Sequence, residues 1–417
     1  MAEVEIRRLR SGEGEAFVRS VRIPFLDPYD GTAGPQMERH VAGLEAGRAW
    51  VGEAGGRFVA NCMVRTMDVT LPAPPAAACP VLPMGGVTAV GVHPTHRRRG
   101  ILGRMMAAML EDCRSRGEPL AGLIASESVI YGRYGFGAVS DSASFEIDTR
   151  RSRFLQPAPE VALELLEKDR AAELLPPLFD RLRRRRAAEP GRSPAMWERY
   201  LADDPDRRHG GSAALVAACE DGYVAYRAHE PHGDHGLARI EVEELRGADP
   251  AVEAALWRFV FDIDLSDRVT ARRRPVDEPL RWRLADHRQL RLTGLEDRLH
   301  VRILDVPAVL EARGYREAGR LVLDVEAPAV DGGPSDTAPG RWVLEAAPDG
   351  ASCRPARSGE EPDLRLDLTV LGSLCMGGYP ASLMLAAGRV QELAPGAAGV
   401  ADRLLGTWPA PLSGTGF

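Results

Sequence analysis

The stretch Val90-Gly91-Val92-His93-Pro94-Thr95-His96-Arg97-Arg98-Arg99-Gly100 sets three consecutive arginines and a glycine between an apolar run and a segment of helical apolar spacing. A strand ending at Val92, Pro94 blocking further pairing and a helix beginning near Gly100 leave the N–H groups of Ile101, Leu102 and Gly103 at a helix N-terminus. Those donors lack intrahelical partners and lie at the positive end of the helix dipole, so the turn is an anion site by construction. Arg97, Arg98 and Arg99 add charge, and Gly100 lets a phosphate approach the backbone. Three cations at that end of a helix are unfavourable by themselves and require an anionic partner. The plainer alternative is a solvated arginine cluster.

A second constellation follows in IASESVIYGRYGFGAVS, from Ile124 to Ser140. Tyr131 offers a phenol for proton donation, with core packing as its alternative role beside Tyr134 and Phe136. Glu127 offers a carboxylate that serves as a base or, next to Ser126 at a strand end, binds cofactor through its backbone. The glycines from Gly132 to Gly137 are not a dinucleotide fingerprint, because a strand rather than a helix follows them. Asp27 and Asp30, in FLDPYD, either attract a cationic substrate or are ordinary turn residues. Cys113, inside the helix after the arginine turn, reads as packing. His229, His232, Asp234 and His235, in HEPHGDHG, read as a solvated hairpin tip rather than a metal site, and no metal is expected. Arg181–Arg186 reads as the exposed end of a helix, salt-bridged or at a subunit contact, rather than as an RNA site.

These residues need elements to hold them. Around the arginine turn, strands are predicted in Glu3–Leu9, Ala49–Glu53, Arg57–Asp68, Val87–Val92, Leu120–Ala125 and Ala143–Ile147. Helices are predicted in Gly14–Ile23 and Ile101–Arg116, the latter stopped by Gly117. The Pro/Ala-rich stretch Leu71–Pro83 excludes a central strand. A second region, 151–290, repeats the order with a helix in Leu163–Leu182, a hairpin from Ala213–Cys219 and Tyr223–Ala228, a strand Ala238–Glu243 and a helix Ala251–Phe261. Its corresponding turn reads ELRGADPAVE, without the arginine-glycine turn before the helix; if the two regions are structural duplicates, this copy has lost the anion site. A third region, 291–417, alternates strands (Leu299–Leu304, Gly319–Val325, Arg341–Glu345, Leu364–Val370) with helices near Val306–Arg313, Ser373–Met376 and Ala381–Ala387. The fold class is α+β, with domains at 1–150, 151–290 and 291–417.

The 417 residues exceed one hydrophobic core. A formal charge of −7 argues against a general nucleic-acid binder. No apolar run reaches the roughly 18 residues of a membrane span. The six scattered cysteines, without CxxC spacing, and the polar start MAEVEIRRLR suggest reduced thiols in a cytoplasm. Lys168 is the only lysine, and no GxxxxGK[ST] occurs, which excludes a Walker loop and a Schiff base near the arginine turn.

The pattern from Val90 to Gly100 resembles the pyrophosphate loop of the GNAT acetyltransferases, with Arg98 and Leu102 where that superfamily usually has glycine. Ile130-Tyr131, followed by Gly135-Phe136, resembles its second motif. HRRRG, then ASE, then IYGRYGFG, together with the long remainder and the final Phe417, resembles the enhanced intracellular survival (Eis) acetyltransferases along the whole chain. The resemblance implies a catalytic GNAT domain, a degenerate GNAT-like domain and a sterol-carrier-like third domain. It implies acetyl-CoA as cosubstrate, held by Val90, Gly91, Val92, Arg97–Arg99, Gly100, Ile101, Leu102, Gly103, Ser126 and Glu127. It further implies a homohexamer, amine substrates including aminoglycosides, polyamines and lysine side chains, and a Phe417 carboxylate entering the active site.

An alkyl ammonium with a pKa near 10.4 must lose a proton before attacking a thioester. The Phe417 carboxylate, an ordinary α-carboxyl of pKa about 3.3–3.7, orients the ammonium and passes its proton on through water. Tyr131, with a phenol pKa near 10, is matched to protonate a departing thiolate of pKa about 8.5. Direct attack in a ternary complex follows. The rival from another class is a lipid or sterol carrier whose acetyltransferase region is vestigial.

Overall fold

The computed structural model describes residues 3–26, 34–74, 76–205, 208–230, 236–328 and 336–417. Its contacts divide the chain into two units: Met1–Val139, Leu299–Trp408 and Gly416–Phe417 in one, Ser140–Arg298 and Pro409–Thr415 in the other.

The first unit opens with β1 (Glu5–Arg8), then α1 (Gly14–Phe25) and α2 (Pro35–Ala42), then the antiparallel run β2 (Ala49–Ala54), β3 (Arg57–Thr70) and β4 (Val81–Val92). After it come α3 (Ile101–Ser115), β5 (Leu120–Ile124) parallel to β4, the single-turn α4 (Ser128–Gly132) and β6 (Gly137–Ala138). Met105, Met106, Met109, Leu110 and Cys113 recur at helical spacing on α3 and are buried with Cys62, Val64, Ala121 and Leu123 of the sheet. Each buried Met, Leu or Val side chain contributes roughly 1.5–3 kcal/mol. Gly117, at φ +71°, stops the helix as expected. The strand expected from Val87 starts earlier, at Val81, and takes in Pro83 opposite Asp68. Proline is tolerated there because β5 joins only from Met84, so β4 is still an edge strand.

The second unit holds β7 (Asp141–Asp148), β8 (Glu164–Leu166), α5 (Lys168–Arg183), α6 (Pro194–Ala202), β9 (Leu215–Cys219), β10 (Gly222–His229), β11 (Ala238–Gly247), α7 (Pro250–Phe261), β12 (Ser266–Pro275), α8 (Leu280–Arg283) and β13 (Arg291–Asp297). Its sheet runs β13-β7-β12-β11-β10-β9-β8. An antiparallel pair, a helix and a parallel strand (β10, β11, α7, β12) repeat the order β3, β4, α3, β5. The helix expected over Leu163–Leu182 starts only at Lys168, because Glu164–Leu166 pairs with β9. Arg183, expected to be exposed, is buried and paired with Asp180 at 2.7 Å.

Residues 409–415 close this unit as an ordered strap. Glu189 accepts from the N–H groups of Gly414 (3.0 Å) and Thr415 (2.9 Å), and Arg192 Nε donates to Thr415 Oγ1 (3.1 Å). Arg246 pairs with both Glu189 and Glu244 at 2.7 Å, and Arg192 with Glu244 at 2.8 Å. Arg192 also lies over the rings of Phe179, Trp197 and Tyr200.

In the first unit the chain resumes with β14 (Leu299–Ile303) and α9 (Val306–Ala312). β15 (Gly319–Glu326), β16 (Gly340–Ala347), β17 (Gly350–Pro355), β18 (Leu364–Asp367), α10 (Leu368–Cys375), α11 (Ala381–Ala386), β19 (Val390–Glu392) and α12 (Ala397–Leu405) follow. β14 enters the first sheet, giving β1-β2-β3-β4-β5-β14-β6, and the later strands form a sheet β17-β16-β15-β18-β19. The strand expected over Leu364–Val370 ends at Asp367, whose carboxylate accepts the Val370 N–H at 2.8 Å and caps α10. The expected boundaries at 150 and 290 also shift. β7 and β13 pair with each other in the second sheet, whereas β14 pairs with β5 and β6 in the first. Alternation of apolar residues marks a strand but not the sheet it joins.

Candidate active site

The turn between β4 and α3 has the predicted form. Gly100, the N-cap of α3, has φ +70°; no side chain caps the helix and its first turn has no acidic residue. Arg97 and Arg98 are exposed, and Arg97 Nε donates to the Val92 carbonyl at 3.3 Å. Arg98 has φ +62°. It therefore adopts the left-handed conformation glycine takes readily, at a cost of about 1–2 kcal/mol for a side-chain-bearing residue.

β4 and β5 pair only through Met84↔Leu120, Gly85↔Ala121 and Gly86↔Gly122. Beyond Gly86, β4 stays with β3 while β5 continues beside β14. A bulge between Asn61 and Met63 displaces Ala89 and Val90 from the β3 register, with Ala89 at φ +54° and its carbonyl accepting from Asn61 Nδ2. Val90–Val92 thus lines an opening between two parallel strands, where an extended amide-bearing chain finds backbone donors and acceptors. Gly91 has a different reason to be glycine: a Cβ there would lie 2.7 Å from Pro24 of α1. Ile101 is buried, Leu102 packs partly against the core, and a Cβ on Gly103 would lie 3.8 Å from the Tyr134 hydroxyl. Backbone donors, guanidinium groups and an opened strand edge together fit a nucleotide thioester.

Tyr131 sits in α4, buried in the core cluster that includes α3 and Cys62, with its ring edge-to-face to Phe136 at 6.4 Å. Burial pushes its phenol above the ordinary value of 10; hydrogen bonding from the Ser126 side chain pulls it down, and the Glu127 charge adds to the rise. The phenol is therefore protonated at neutral pH, as a proton donor requires. Ser126 and Glu127 are exposed at the start of α4. Cys113 packs in the core, its thiol pushed up mainly by burial.

Phe417 lies against Gly86. A Cβ added there would meet Met67 Sδ at 2.4 Å and Phe417 Cδ2 at 3.2 Å, so the ring occupies the sheet face at the last residue where β4 and β5 pair. Asp27 and Asp30 lie outside the described residues, as do His232, Asp234 and His235. His229 bonds Glu241 at 2.7 Å.

The second unit has the counterpart features closed by its own side chains. Asp249 caps α7, accepting from the N–H groups of Ala251 (2.7 Å) and Val252 (2.9 Å), where α3 has no cap. Its parallel strands pair only as far as Val242 and Ala271, and Arg274 of β12 reaches the Leu245 carbonyl of β11 at 2.6 Å while paired with Glu278 at 2.7 Å. A carboxylate occupies the helix end and a guanidinium bridges the strands.

Residues 5–139 match the family described as acetyltransferase (GNAT) domain, 190–303 a second family of that description and 306–413 the sterol carrier protein domain. The N-acetyltransferase Eis of Mycobacterium tuberculosis is 34% identical over 337 residues, 79% of each chain. An N-acetyltransferase of Streptomyces avermitilis is 38% identical over 347 residues, 81% of this chain and 82% of its own. The chain belongs to the Eis family of GNAT N-acetyltransferases. The crystal structure of Eis1 from Mycobacterium abscessus agrees, with a TM-score of 0.86 at 30% identity, covering 99% of this chain and 100% of that one. As a member of the Eis family the chain is an acyltransferase, and the GNAT fold implies acetyl-CoA as its cosubstrate. The carrier reading rests on the sterol-carrier match alone, which leaves both GNAT matches unexplained.

Sequence reading missed the buried ion network behind α3. Arg48 pairs with Asp112 at 2.8 Å and Glu118 at 2.6 Å, and Arg8 reaches Asp112 at 2.8 Å. Nothing local marks these residues, because the partners lie 64, 70 and 104 positions apart.

Proposed function

We propose that this enzyme transfers an acetyl group to a primary amine by direct attack in a ternary complex, with Tyr131 as acid and the Phe417 carboxylate as the group that receives the ammonium. The position of Phe417 at Gly86, where β4 and β5 part, carries the reading. The backbone of Val90–Val92, the N–H groups of Gly100–Gly103 and Arg97–Arg99 would hold acetyl-CoA, which when bound supplies an activated acetyl thioester.

Tyr131 holds its proton at Oη through neutral pH, because burial opposes the phenolate. The Phe417 carboxylate orients the ammonium and accepts its proton through water, since its ordinary pKa lies about six units or more below that of an alkyl ammonium. The Phe417 ring lies against Gly86, where a side chain would crowd it.

Resemblance to the Eis family favours polyamine-type acceptors: aminoglycosides, acetylated at more than one amine, with polyamines and lysine side chains as the remaining class. A homohexamer in a cytoplasm is the assembly and location that go with this reading. The test is a thiol-release screen across aminoglycosides, polyamines and lysine peptides, with product masses counted for multiple acetyl groups. Amine-dependent release without an acetylated enzyme supports the proposal. Acetyl-enzyme accumulating without amine, or ping-pong kinetics, would overturn direct attack.

A further inference from the structure

We infer that Thr369 and Arg302, both from the C-terminal half of the chain, are positioning residues for the Tyr131 phenol; the inference rests on the reading of Tyr131 as the acid.

The segment that carries Tyr131 is poorly able to hold its own shape. α4 has five residues, and helices this short are unstable in water unless tertiary contacts fix them. Gly132, Gly135 and Gly137 follow within six positions, with Gly135 at φ +82°, and glycine leaves the backbone its widest freedom. Local bonds close a tight turn: Tyr134 N and Phe136 N donate to the Tyr131 carbonyl at 3.0 and 3.3 Å, and Gly135 N to the Gly132 carbonyl at 3.0 Å. They shape the turn without orienting it.

Orientation comes from residues beyond 298. Thr369 Oγ1 of α10 donates to the Gly132 carbonyl at 2.9 Å. Arg302 of β14, fully buried, donates from Nη1 to the Tyr134 carbonyl and from Nη2 to Asp336, which also pairs with Arg114 of α3 at 3.0 Å. Val301 and His300 pair with Gly137 and Ala138, and Val139 N donates to the Leu299 carbonyl at 2.9 Å. α10 comes this close only where side chains are missing. A Cβ on Gly137 would lie 2.0 Å from the Thr369 carbonyl oxygen, and one on Gly372 2.6 Å from that of Val301. The backbone on which the acid is mounted is thus held by β14, at the end of the second GNAT match, and by α10 of the sterol-carrier-like part, both in the same unit.

The Thr369 bond separates positioning from folding. The Gly132 carbonyl already accepts from Gly135, so losing the hydroxyl leaves no buried acceptor unsatisfied. Arg302 is a harsher site, since its removal takes a buried donor from the Tyr134 carbonyl and leaves Asp336 paired with Arg114 in place of two guanidinium groups. Thr369→Val is therefore the informative variant and Thr369→Ser its rescue.

Both are made in the full chain, beside Tyr131→Phe and the Tyr131→Phe/Thr369→Val pair. Thr369→Val is expected to lower kcat about tenfold, the scale of a sub-ångström misplacement, while KM for acetyl-CoA and the melting temperature hold. Thr369→Ser should restore kcat, and Thr369→Val should add nothing in the Tyr131→Phe background. A readout independent of turnover is the ring-carbon resonance of labelled Tyr131, whose titration should move down toward pH 10 in Thr369→Val as burial loosens. Unchanged kcat and unchanged titration in Thr369→Val, with Tyr131→Phe impaired, overturn the inference alone. Full activity in Tyr131→Phe removes the acid itself, and the inference with it.

Discussion

Arg98 is where the backbone and the charge of the anion turn can be separated. Its φ of +62° costs about 1–2 kcal/mol relative to an ordinary conformation. Glycine removes that strain but gives back about 0.5–1 kcal/mol through the freedom of the unfolded chain. Arg98→Gly should therefore stabilise the first unit by about 0.5–1 kcal/mol, raising its melting temperature by about 1–2 °C, whereas Arg98→Ala keeps the strain and should melt like the parent. Both variants lose one exposed guanidinium, which should weaken coenzyme A binding up to about fivefold, and less at high salt. Calorimetric titration with coenzyme A at two ionic strengths, with thermal unfolding of the same samples, reads both quantities. If the glycine and alanine variants melt alike, φ strain is not what distinguishes this position. If both bind coenzyme A like the parent at low salt, the arginine is not part of the anion site.

Tyr131→Phe should lower kcat by about 10²-fold or more while leaving coenzyme A affinity within about twofold, as steady-state rates and calorimetry will show. Because the protonated phenol is the active form and burial raises its pKa above 10, rate should be lost only as pH rises past 10; a fall in kcat below pH 9 that Tyr131→Phe abolishes would contradict this. Residues added after Phe417 should abolish turnover without changing the melting temperature, and a fully active extended chain removes the carboxylate role. Calorimetry should give one coenzyme A per chain, since Asp249 and Arg274 close the second copy of the site. Glu244, which burial alone would push up, is held at about 2 by Arg192 and Arg246, so stability should be present above about pH 4.5 and lost as pH falls toward 2; thermal melts of Glu244→Gln should show a weaker dependence over that window.

The anion turn was legible because its determinants are contiguous. A strand end, a proline, arginines and a glycine within eleven residues specify a helix N-terminus whatever surrounds it, and the fold has one there. Tyr131 was singled out by the likeness of IYGRYGFG to the family's second motif, and the fold buries it in the core cluster with α3. The loss of the second anion site was also readable, but not its mechanism: ELRGADPAVE shows the missing arginines, while the Asp249 cap needs the helix start, and the Arg274 bridge joins β12 to a carbonyl 29 positions away. Sheet membership was not legible. The alternation in Asp141–Asp148 and Leu299–Ile303 is that of buried strands in either sheet, and only long-range pairing decides which.

That exchange of strands bears on what the C-terminal half contributes. β5 would otherwise be the edge of a parallel pair opened on one side, with its other flank unpaired. β14 covers it with a full antiparallel register, Leu299↔Ile124 through Ile303↔Leu120, and then supports β6. Parallel strands are buried on both faces and tolerate exposed edges poorly. An isolated fragment ending near residue 139 would have to leave β5 uncovered and the glycine-rich turn after Tyr131 without the bonds from Thr369 and Arg302. The chain beyond β13 need bind no lipid to be required for acetyl transfer: β14, at the end of the second GNAT match, completes the first sheet, and Thr369, in the sterol-carrier match, bonds the turn that carries Tyr131.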